Sequence, residues 1–141
     1  MDRRRRGRGA RDRGAVAVEF ALLLPVLLIV VFGVIDFGRA LNAQITITQA
    51  AREGARLAAL GQPAGTVQAQ AAVAGSSIGL TTGEVTPAVC VPNAGPTANG
   101  TVQVSYPFSF ITPIAALSGL FGHGFSSSLT LHAQGVMPCE T

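Results

Sequence analysis

The residues of this chain that could do chemistry are few. Cys90 and Cys139 are its only cysteines, His123 and His132 its only histidines, and Glu19 is a carboxylate set inside an otherwise apolar run. The cysteine spacing matches no metal-ligand pattern, and neither histidine belongs to a carboxylate or cysteine pattern that would hold a metal or activate a nucleophile. The stretch from Gly119 to Gly124 is glycine-rich but lacks the strand-to-helix setting and the lysine of a phosphate loop. These residues predict no catalytic set, no metal and no cofactor, and the chain reads as a non-enzyme. What remains is Glu19, with its position five residues after a glycine in Gly14-Ala15-Val16-Ala17-Val18-Glu19-Phe20. A carboxylate placed in hydrocarbon costs a few kcal/mol, so an intramembrane acid is either functional or reaches for the interface.

The element that must position Glu19 is a long helix. From Ala15 to Ile35 it is the only ionisable residue, and a helix of that length spans roughly 31 Å, enough to cross a hydrocarbon core. The charges divide around this segment. All ten basic residues of the 141-residue chain are arginines; residues 1–13 carry seven of them and a formal charge of +5, whereas residues 14–141 carry −2. The basic head predicts a cytoplasmic N-terminus and an exported remainder. A cleavable secretory signal is the rival reading, but the apolar run is longer than the usual h-region, Glu19 interrupts its start, and Gly38-Arg39-Ala40 is a poor small-x-small site. Charged residues make up only 12% of the chain and hydrophobic ones 48%, which excludes disorder for most of it.

Beyond Ile35 the helix is predicted to continue to about Leu60, where Gly61-Gln62-Pro63 stops it. At 100° per residue, Asn42, Gln49, Arg52, Glu53 and Arg56 fall on one face and Ala43, Ile47, Ala50, Gly54 and Ala58 on another. The small apolar stripe suits close packing against a helix or sheet. Ala15 to Leu60 would form a rod about 70 Å long, softened or kinked at Pro25 and Gly33.

Residues 66–75 suggest a short second helix, after which the period changes to two. Val102, Val104, Tyr106, Phe108 and Phe110 alternate with polar neighbours, and Pro107 hints at an edge position. Leu129, Leu131 and Ala133 alternate likewise, His132 falls on the solvent side, and Gly135 suggests a bulge. A third candidate strand, Val85 to Val91, is broken by Pro87, and turns are expected at 92–100 and 118–127. The expected fold class is α+β: a long N-terminal helix packed against a small antiparallel β-sheet. Its divisions are a basic leader (1–14), a transmembrane helix (15–36), an exported continuation (37–60) and a β-rich module (61–141). An exported module makes a Cys90–Cys139 disulfide the favoured state, with two free thiols as the alternative.

The run from Gly14 through Glu19 and Phe20 resembles the processing site of type IV prepilins. Glu19 to Leu41, including Pro25 and the Asp36-Phe37-Gly38-Arg39 exit, is similar to the N-terminal region of the TadE family of the tight-adherence (Flp, type IVb pilus) system, and TQAAREGARLAA fits the helix that follows. The resemblance covers residues 14–60. It implies a pilin-like minor pilin or pseudopilin in the cytoplasmic membrane, cut between Gly14 and Ala15 by a prepilin peptidase, with other pilin-like subunits and the pilus assembly platform as partners. The new α-amine at Ala15 could pair with Glu19 of a neighbour, an interaction of about 4 kcal/mol at 4 Å and an effective dielectric of 20. Glu19 would then set the register of assembly; facing the headgroups beside the arginines is the simpler alternative. Two other classes rank below this: an unprocessed signal-anchored exported domain, and further down a nucleic-acid- or lipid-binding module built on the basic head; no nucleic-acid partner is expected, since a juxtamembrane basic segment more often answers to anionic lipid and topology.

Overall fold

A computed structural model describes residues 8–92, 95, 97–111 and 128–140, with side chains from Gly14 onward. Helix α1 runs from Arg8 to Ala59 and α2 from Ala64 to Ala74; two 3₁₀ turns, Ser76–Ile78 and Thr82–Glu84, lead into strands β1 (Val85–Ala88), β2 (Asn99–Ser109) and β3 (Ser128–Pro138). The α+β expectation holds: one long helix and a three-stranded antiparallel sheet in the order β1-β2-β3. The helix begins inside the arginine-rich head rather than at Ala15. Arginine and alanine are good helix formers, and the isolated glycines there weaken a helix without stopping it.

Beyond Gly61 nothing continues α1, and its end is closed by a glycine in the left-handed region. Gly61 has φ 68°, its N–H donates to Ala58 O at 3.1 Å, and Gln62 N–H donates to Leu57 O at 3.1 Å. This is a Schellman closure followed by Pro63, as Gly61-Gln62-Pro63 predicts. Residues just past the ends of β1 and β3 cap the same helix end: Cys90 N–H makes a second bond to Ala58 O at 2.9 Å, and Glu140 N–H donates to Ala59 O at 3.3 Å. The Cys90–Cys139 disulfide, with Cα atoms 5.8 Å apart, joins the two chain segments that make these contacts.

The core lies between the second half of α1, the sheet and α2. Ala43, Ile47, Ala50, Gly54 and Ala58 are buried, as the small-residue stripe predicts, and Ala51 and Ala55 join them. Against this face pack Val67 and Ala71 of α2, Leu80, and Val85, Val102 and Val104 of the sheet. Asn42, Gln49, Arg52 and Arg56 are exposed on the other side and Glu53 is half-buried.

Two glycines on the sheet let it come this close. A Cβ on Gly100 would lie 2.6 Å from Ala59 N, and one on Gly135 would overlap the carbonyl of Ala51. Gly135 therefore makes no bulge: β3 stays in register through it, with Val136, Gly135 and Gln134 opposite Thr101, Val102 and Gln103. The missing side chain serves close approach to the helix, a long-range demand that alternation along one strand cannot reveal. Pro107 is on the central strand, yet its half of β2 has a neighbour on one side only, because β1 pairs no further than Val104. Pro87 belongs to β1, an edge strand of four residues that tolerates it.

Candidate functional site

Gly14, Ala15, Glu19, Phe20 and Pro25 all lie on the first half of α1 and are exposed, as is nearly every residue from Gly14 to Ile35. Val16, Phe20, Leu22, Val26, Leu27 and Val34 each leave at least 60% of their surface uncovered. A sleeve of bare aliphatic side chains this long is unsuited to water. Within Gly14–Ala59 the most apolar 18-residue stretch has a mean hydropathy of 2.8 and none of it is buried in the protein. Pro25 stands inside an unbroken helix, where it removes one backbone donor.

Among the described residues, Gly14 has no neighbour that requires glycine. Nothing lies within 4 Å of where its Cβ would be, and glycine inside a helix is weaker than alanine by about 0.5–1 kcal/mol. Packing among the described residues does not explain the residue. Ala15 and Glu19 are one helical turn apart and so share a face.

The structure adds a cluster at the end of the apolar run that spacing alone does not reveal. Asp36 is 2% exposed, and its Oδ1 accepts from Arg39 Nη1 at 3.0 Å and from the backbone N–H of Ile111 at 3.2 Å. Arg39 also donates to Ser109 O at 3.4 Å and stands over the Phe108 ring, 5.2 Å from its centroid. Phe108 is buried and meets Phe110 edge-on at 5.3 Å. The i, i+3 spacing of Asp36 and Arg39 is the only legible sign of this cluster; the partners Ser109, at the end of β2, and Ile111, just past it, are 70 and 75 positions away. A buried carboxylate needs its charge and lone pairs satisfied, and here the helix and strand share that work. The end of β2 is thereby fixed to the first turn of α1 beyond its apolar half.

His132 is exposed on the outer face of the sheet, its Nδ1 3.1 Å from Ser105 Oγ. Its backbone carbonyl accepts from Gln44 Nε2 at 3.1 Å. These roles are structural. His123 lies outside the described residues.

Among the described residues, fold and site together define a protein with one membrane-spanning-type helix that continues into the core of a small α+β module. Comparison with known families adds that residues 14–56 match the family model described as TadE: TadE-like protein. The matched segment begins at Gly14 and ends within the buried half of α1, so the chain carries a TadE-like segment covering just under a third of its length. No curated protein and no solved structure matches the chain.

Proposed function

We propose that this protein is a minor pilin or pseudopilin of a tight-adherence (Flp, type IVb) pilus, processed between Gly14 and Ala15 by a prepilin peptidase. The observation that carries the proposal is Gly14 itself. It occupies a helical position where no described residue demands glycine, five residues before the only acid of the apolar run, at the point where the TadE-like match begins. Open space around the glycine is shared by Gly33 and Gly38 of the same helix, so it is the spacing to Glu19 and the start of the match that support a protease reading Gly14.

In this reading the arginine-rich head is a leader that stays on the cytoplasmic side and is held by anionic lipid until removal. The apolar half of α1 anchors the precursor and later packs among other pilin-like helices, while the module faces the extracytoplasmic side. Division of labour along α1 supports this. Its second half is covered by the protein's own sheet and α2, whereas its first half is left bare for lipid or for neighbouring subunits. Glu19, paired with the α-amine of a neighbouring Ala15, gives the bare half a register; the role is structural and needs no cofactor.

N-terminal sequencing of the protein extracted from membranes tests the proposal. Ala15 as the first residue supports it, and Gly14→Ala is expected to leave the head attached. An intact head on the wild-type protein would overturn the processing step and leave a signal-anchored domain.

A further inference from the structure

The membrane-side rim of the module carries a surface that neither the span nor processing explains. At 1.5 Å per residue the apolar run ending at Ile35 fills about 30 Å, so Asp36 marks the edge of the hydrocarbon. The bonds from Ile111 N–H and Arg39 to Asp36, and from Arg39 to Ser109, hold the end of β2 at that same level. Ile111 and Phe37 are nevertheless 72% and 65% exposed, and Phe110 is 38% exposed beside the buried Phe108.

We propose that Phe37, Phe110 and Ile111, which lie at the level of Arg39 along α1, are seated in the headgroup layer of the bilayer that α1 spans, so that the module rests on the membrane instead of standing clear of it. This rests on the reading of α1 as a membrane span. The rim is continuous with the bare apolar surface of the spanning half, since α1 passes through this level without a break. Its charge pattern also suits a lipid surface. The Asp36 carboxylate is buried against Arg39 and presents no anion outward, whereas the Arg39 side chain is 40% exposed and keeps further N–H groups for lipid phosphate. Apolar side chains at the acyl boundary with an arginine among the phosphates is the amphipathic arrangement of an interfacial anchor.

The chain has no tryptophan, so one introduced indole reports without background. The full-length protein would be placed in vesicles of phosphatidylcholine and phosphatidylglycerol, with and without bromine on the acyl chains, as Ile111→Trp, Phe37→Trp, Leu27→Trp and Arg52→Trp. Leu27 reports on the span, and Arg52 is exposed on α1 about 24 Å beyond Asp36. Bromine is expected to remove about half or more of the emission at Leu27→Trp, Ile111→Trp and Phe37→Trp and little at Arg52→Trp, given a seat about 5–10 Å deep. Quenching at Leu27→Trp with none at either rim position would overturn the proposal while leaving the span intact. No quenching at Leu27→Trp would overturn both. Rim emission that is unquenched but shifts to the blue as the protein-to-lipid ratio rises would show a second copy on this surface, and would equally overturn the lipid seat.

Discussion

The carboxylate of Asp36, the first residue beyond the apolar run of the helix, accepts the backbone N–H of Ile111, 75 positions further along the chain, at 3.2 Å. Arg39 completes the link by donating to the same oxygen at 3.0 Å while covering the Phe108 ring. Asp36→Asn removes the charge from this junction and leaves Arg39 without its anion. A loss of about 1–3 kcal/mol is expected, less than for a fully buried pair because Arg39 is partly solvated. Amide exchange at Ile111 should quicken, a change readable by hydrogen exchange in detergent.

The close approach of sheet and helix makes the glycines unequal. Gly135→Ala would drive a methyl group into the Ala51 carbonyl, so helix and sheet must separate, at a cost of about 3 kcal/mol or more. Gly38→Ala meets nothing within 4 Å and should be neutral or slightly stabilising. Denaturant midpoints of the two variants, measured side by side, distinguish them.

Reducing Cys90–Cys139 releases a loop closed across a separation of 49 residues, which the chain-entropy estimate values at about 4 kcal/mol at most. The same segments cap the last carbonyls of α1, so loss of stability should be accompanied by fraying of α1 near Ala58 and Ala59. Thermal unfolding with and without reductant, with alkylation of the two released thiols read by mass, checks both effects.

Glu19→Ala is expected to leave cleavage after Gly14 intact but to weaken association of the mature helices, since the α-amine at Ala15 then lacks its partner. Crosslinking from positions flanking Glu19, compared between the variant and the wild type, would register this as lost adducts with an unchanged N-terminal sequence.

On the exposed face, the hydrogen bond from Arg56 holds the Glu53 carboxyl below its ordinary pKa, outweighing slight burial. The pair's contribution is present above the unfolded-state value and is lost as pH falls through the lowered one, so stability should decline slightly under acid conditions. The Arg56 and Glu53 side chains keep 57% and 43% of their surface exposed, so the effect should be small and shrink with salt. In Arg56→Gln, a titration of Glu53 followed by NMR should return toward the ordinary carboxyl range.

Much of this protein follows from local pattern. The apolar run, its arginine flank, the Gly61 stop, the small-residue stripe from Ala43 to Ala58 and the alternation of Val102 to Phe108 are all governed by neighbours within a few positions. Hydropathy and periodicity therefore determine that there is one long helix, half of it bare, and a small sheet to cover the other half. The tertiary structure decided how closely the two meet and where they are fastened. Gly135 read as a bulge because its constraint comes from Ala51, more than 80 positions away, and no strand pattern encodes the distance to a helix. Asp36 and Arg39 read as the charged edge of a span because Phe108, Ser109 and Ile111 reach them only after the chain has folded back. A buried carboxylate is recognised by what surrounds it, and those surroundings exist only in the folded protein.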